Sequence, residues 1–160
     1  NSGITLPVKS IWKEEELVIQ NEKGGIHKLI VFKKYTENLI DLLCNSKNNK
    51  EDSNVTGKKG NVIVRWSKDS KCLAIKMESS GNHIFIVDML NMEILSIISF
   101  MKPVKDFKWG NNEREFKLAI VTDNSKLYLY DNAQIKGIEI SESSFSAEKL
   151  LWNWNNSFRR

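Results

Sequence analysis

The sequence predicts an all-β fold, a β-propeller of four-stranded blades that is incomplete within these 160 residues. Two observations predict it. Trp66, Trp109 and Trp152 recur every 43 residues, and Asp88 and Asp131 share that interval; a repeat of about 40 to 45 residues is the length of one four-stranded blade. Short runs rich in Ile, Val, Phe and Tyr also alternate with clusters of Asn, Asp, Gly, Ser and Lys. That is the pattern of strands and turns, and helical periodicity is absent from every window long enough to count.

Residues 1–43 read as a degenerate blade. "PVKSIW", Pro7 to Trp12, echoes "PVKDFKW", Pro103 to Trp109, and strands are expected over 15–20, 28–33 and 39–43, with Gly24-Gly25 as a hairpin turn. Residues 44–60, "CNSKNNKEDSNVTGKKG", hold a single large apolar side chain. Such a stretch buries too little surface to offset its ordering entropy and is expected to be a flexible insertion. Residues 61–100 form the next blade, with strands at 62–67, 72–77, 83–88 and 93–100. Residues 101–140 form another, with strands at 104–109, 117–122, 126–131 and 137–140, and 141–160 begin a further one with a first strand at 148–153.

The runs Ile84-Phe85-Ile86-Val87 and Leu127-Tyr128-Leu129-Tyr130 are apolar on both faces, as expected for strands covered on both sides by neighbouring blades. Lys68-Asp69-Ser70-Lys71 and Asp123-Asn124-Ser125-Lys126 supply turn residues that hydrogen-bond their own backbone. The three repeat tryptophans are expected to wedge between blades as core. Asp88 and Asp131 close third strands, where a carboxylate accepts backbone N–H groups of the following turn. Three and a fraction blades do not close a ring. The chain begins with Asn1 rather than Met, and more chain, a partner or a second copy is expected to cover the open apolar faces.

Composition narrows the function classes. The longest apolar runs, such as Ile94 to Phe100, are far too short to cross a bilayer as a helix, and a membrane role is not expected. Cys44 and Cys72 have neither the number nor the spacing of a disulfide framework or a metal site, which points to reduced thiols and the cytoplasm. Lysine dominates the net charge of +4; without arginine and aromatics interleaved along a groove it argues for solvated loops over nucleic-acid binding. His27 and His83 each follow a glycine-containing turn and read as turn or edge histidines. Cys72 reads as a small core residue, and Glu14-Glu15-Glu16 as a solvated face or turn. No phosphate loop, zinc-protease motif or calcium loop is present. Neither a catalytic residue, a cofactor, a metal nor a small-molecule substrate is expected.

"VRWSKDSKCLAIK", "IFIVDMLNMEILSII", "PVKDFKWGNNEREFKLAIVTDNSKLYLYD" and "LLWNWNNS" follow one another over about 59–157. In order and spacing this series resembles the second-half blades of the WD-repeat protein eight family, the WD-repeat-containing proteins antisense to the p-seventy-three gene. Pro103 to Tyr130 carries the most specific part of the likeness, and residues 1–43 follow it weakly. Val87-Asp88 and Tyr130-Asp131 stand where the family has Trp-Asp, and the Gly-His dipeptide of regular repeats is missing. The hydrogen-bonded tetrad of regular blades therefore has no counterpart, and packing is expected to carry these blades.

The resemblance implies a non-catalytic scaffold at centrosomes, spindle poles or basal bodies. There it would help anchor microtubule minus ends through protein partners, a coiled-coil protein among them. Two other classes compete. Phe158-Arg159-Arg160 resembles part of the Phe-Arg-Arg-Gly motif of phosphoinositide-binding propellers, although the Gly is missing. A propeller subunit of a translation or RNA complex would lose RNA steeply with added salt.

Overall fold

A computed structural model describes residues 7–20, 22, 24–35, 60–111, 116–124, 126–131, 134–140 and 147–152. The strand expected at 39–43, Cys44, the insertion over 44–59 and Phe158-Arg159-Arg160 lie outside the described residues. Within them the chain is all-β apart from one 3-10 turn, Glu78–Ser80.

Two strands come first, β1 (Ile11–Gln20) and β2 (Ile26–Tyr35). Then β3 (Val62–Trp66), β4 (Cys72–Met77), β5 (His83–Asp88) and β6 (Glu93–Ser99) make one antiparallel meander. A second follows in β7 (Val104–Trp109), β8 (Lys117–Thr122), β9 (Lys126–Asp131) and β10 (Gln134–Glu139).

The repeat is visible in the registers. Trp66 pairs with Leu73 and Arg65 with Ala74, while Trp109 pairs with Leu118 and Lys108 with Ala119. Asp88 faces Cys72 and Asp131 faces Lys117, each the first residue of its meander's second strand. Equal sequence spacing has become equal ladder position. The fold is that of an incomplete propeller.

Turn chemistry accounts for the reversals. Ser67 Oγ donates to Asp69 Oδ1 at 2.7 Å and accepts from Cys72 N at 2.9 Å, and Ser70 takes a left-handed φ of 58° between them. Asn124 Oδ1 accepts from Lys126 N at 2.9 Å. These are the side-chain-to-backbone bonds that favour Asp, Asn and Ser in tight turns. Gly24, at φ 78° in the turn between β1 and β2, needs the freedom that only a residue without Cβ has at low cost.

Most of the core lies between the two sheets. Ala74, Ile84, Ile86 and Ile98 meet Phe107, Leu118, Ile120, Tyr128 and Tyr130 there. The other face of the first sheet buries Ile11, Phe85 and Ile97. β5 is therefore apolar on both faces because both are covered.

The amino-terminal part departs from the expected blade. Its described strands form a hairpin that extends the first sheet, giving the order β2-β1-β6-β5-β4-β3. β1 runs parallel to β6 only over Ile11–Lys13, prepared by Lys9 N donating to Ile94 O and Ile94 N donating to Pro7 O. Beyond that ladder the hairpin turns a face towards the second sheet. Phe32 meets Phe100 and Tyr128 edge-on at 5.7 and 5.6 Å, an arrangement aromatic quadrupoles favour. The echo of Pro103–Trp109 in Pro7–Trp12 thus starts an edge addition, because β6 offers an unpaired edge that residues 8–13 fill.

Glu14 corrects the reading of Glu14-Glu15-Glu16 as solvated. Strand alternation places Glu14 on the same face as Trp12 and Phe32, 3% exposed, where Oε1 accepts from Tyr128 Oη and Oε2 from Met101 N at 2.9 Å. Only its neighbours stay outside, Glu15 with Lys33 at 2.8 Å and Glu16 with Lys28 at 2.8 Å. His83 is likewise inside, 3% exposed, its Nε2 3.2 Å from Ser99 Oγ. The described residues 147–152 contain no strand where one was expected at 148–153. Leu150 N instead donates to Asp106 Oδ2 at 2.8 Å.

Candidate interaction site

The two meanders share no strand ladder; side chains and a backbone bond, Val104 N donating to Gly81 O at 2.9 Å, join them. Asp106 sits at a bulge where the β7–β8 register shifts, and bulges re-aim side chains. Its carboxylate, 7% exposed, accepts from Phe107 N at 2.9 Å and Leu150 N at 2.8 Å and meets Arg65 Nη2 at 2.9 Å. Arg65 also donates from Nη1 to Phe107 O and lies over the Phe107 ring, 4.8 Å from its centroid. A guanidinium has the planar, forked donors for such a multiple contact. Trp109 Nε1 donates back to Arg65 O at 2.9 Å.

This clasp brings the three repeat tryptophans together. Trp66, Trp109 and Trp152 line one pocket of about 380 Å³, along with Arg65, Lys108 and Leu151. Their exposures differ. Trp109 is core, 8% exposed, and its ring lies 4.7 Å from that of Phe116. Trp66 is 54% exposed and Leu151 89%, and Trp152 is half-buried. Of the three repeat tryptophans, Trp109 alone belongs to the buried core cluster. Trp66 stands on β3, an edge strand whose Val62, Ile63 and Val64 are also exposed, with no further strand in the described sheet to cover it.

The other positions singled out in the sequence lie elsewhere. Asp88 accepts from Leu90 N at 2.8 Å, Asn91 N at 3.1 Å and Asn91 Nδ2 at 2.8 Å; the Asn91 bonds, side chain first, hold its carboxyl below the usual carboxylate range. Asp131 ends β9. His27 is exposed on β2 and His83 buried at the start of β5, so the two do not converge. Burial pushes the Cys72 thiol up to about 11, the state of an inert core cysteine. Among the described residues no group of three His, Cys, Asp or Glu side chains could hold a metal, and no helix is long and apolar enough to cross a membrane.

The residue that sequence reading missed is Asp106. It falls inside the string "PVKDFKW" that carried the most specific family likeness, yet nothing in its own segment announces partners as distant in sequence as Arg65 and Leu150, the latter 44 residues away.

Comparison with known proteins adds one finding. Over 92 residues, 57% of this chain, the sequence is 28% identical to WD repeat-containing protein WRAP73 of Mus musculus. The chain spans 20% of the length of that relative. No family model matches the sequence, and no solved structure matches it. The two antiparallel meanders and this likeness together support an incomplete WD-repeat propeller.

Proposed function

We propose that this chain is part of a non-catalytic WD-repeat scaffold that holds protein partners at microtubule-organising structures in the cytoplasm, the centrosome, spindle pole or basal body, and helps anchor microtubule minus ends. The single observation that carries the scaffold function is the meeting of Trp66, Trp109 and Trp152 around one pocket beside the exposed strand β3. Aromatic side chains that combine exposure with rigid support are what protein interfaces use as anchors. Arg65 and Asp106 supply the rigidity. Likeness to a WD repeat-containing protein supports a protein-interaction scaffold in general. The centrosomal setting and a coiled-coil partner are what the family resemblance implies.

The test is proximity labelling and affinity capture with the full-length protein, followed by microscopy. Enrichment of one or a few coiled-coil proteins with focal staining at poles or basal bodies is expected. Diffuse staining with no reproducible partner would overturn the function.

A further inference from the structure

We infer that the tryptophan pocket recognises an acidic side chain set beside an apolar one, in an extended segment of a partner protein. The inference rests on the scaffold function proposed for the same pocket and adds the chemistry of its occupant. Two cations line the pocket, and they are not equivalent. Arg65 is committed: Asp106 faces it at 2.9 Å, the Phe107 carbonyl accepts from it and the Phe107 ring lies under it. Lys108 is half-buried in the same wall, and no described side chain pairs with its ammonium. Among the described residues, the pocket therefore keeps one positive charge without a partner.

Beside it stand two apolar side chains that no other described residue covers. Trp66 is 54% exposed and Leu151 89%, and Asn111 adds an amide to the rim. A carboxylate that reaches Lys108 would sit against indole and leucine rather than open water, where a charge-assisted bond is stronger than on a bare surface. An apolar neighbour on the same peptide would cover Trp66. Asp106, the carboxylate that holds Arg65, is already engaged by Arg65, Phe107 N and Leu150 N, so it does not compete for Lys108.

The test uses the full-length protein and fluorescein-labelled synthetic peptides that place Glu beside Leu, matched by peptides with Gln for Glu and by a single-stranded oligonucleotide. Anisotropy should show the Glu peptides binding about tenfold tighter than the Gln peptides, with affinity falling as salt rises. Lys108→Glu should abolish that preference, and Trp66→Ala should weaken both series. The urea midpoint of each variant shows that it is folded. Equal binding of Glu and Gln peptides, binding of neither, an unchanged preference in Lys108→Glu, or tighter binding of the oligonucleotide would each overturn the inference. The scaffold function is judged separately: partner capture and focal staining that survive Lys108→Glu leave it standing while the acidic occupant fails.

Discussion

Trp109 donates its indole N–H to the carbonyl of Arg65 at 2.9 Å, while Arg65 donates to the carbonyl of Phe107 on the strand that carries Trp109. Each meander thus grips the other's backbone through long side chains, the first through Lys76 on Val104 O as well. The bonds cross between strands that share no ladder, so with the Val104 N to Gly81 O backbone bond they help set the relative position of the two sheets.

The first prediction separates the tryptophans. Trp109→Ala should cost about 3–5 kcal/mol, as for other buried aromatics, and Trp109→Phe, which keeps most of the bulk and loses the donor, about 1–2 kcal/mol. Trp66→Ala should change stability by about 0.5 kcal/mol or less. Urea denaturation followed by circular dichroism measures all three, and a Trp66 effect as large as that of Trp109 would contradict the exposures.

The second concerns Glu14. Its carboxylate satisfies the Tyr128 hydroxyl and the Met101 amide inside the protein, and an orphaned buried donor costs about 1–3 kcal/mol. Glu14→Ala should destabilise by that order or more. Tyr128→Phe should recover part of the loss, giving a coupling energy in a double-mutant cycle; strict additivity would show that the two groups do not interact.

The third is a pH dependence. Burial lowers the pKa of His83 below its ordinary 6.5, so the folded state holds it neutral where the unfolded state takes up a proton. Its stabilising contribution is present above the unfolded value and is lost as pH falls below 6.5 towards the folded value. The urea midpoint should drop between about pH 7 and pH 5.5, and His83→Gln should flatten that drop. An equal decline in both proteins would assign it to carboxylates instead.

The fourth concerns Cys72, whose thiol burial pushes up to about 11. In a Cys44→Ser background a thiol reagent at about pH 8 should leave the native protein unmodified and react fully on unfolding, since the thiolate is the reactive form. Fast native labelling would show that the region between the sheets opens.

Much of this arrangement was legible beforehand, for reasons that are local. The turn residues at 68–71 and 123–126 and the two-sided apolar run at 84–87 report their own surroundings. The tryptophan interval reports a shared ladder position, seen in Trp66 against Leu73 and Trp109 against Leu118. What escaped depends on distant chain. Glu14 is buried because strand alternation and the Tyr128 hydroxyl, 114 residues away, give it a place inside. Trp66 is exposed because β3 is an edge strand of the described sheet. Edge and centre of a sheet differ by neighbours, and a residue's own segment does not encode them.

The short parallel ladder between Ile11–Lys13 and β6 has a mechanical consequence. A pull between the amino-terminal side and the chain that leaves β6 draws the parallel β1 and β6 in opposite directions, so the hairpin's backbone hold on the first sheet rests on those few bonds loaded together in shear. The hairpin should therefore yield first under force, rupturing at low tension in optical tweezers as a small early step ahead of the rest. Its amide deuterium uptake should also run fastest of all the strands.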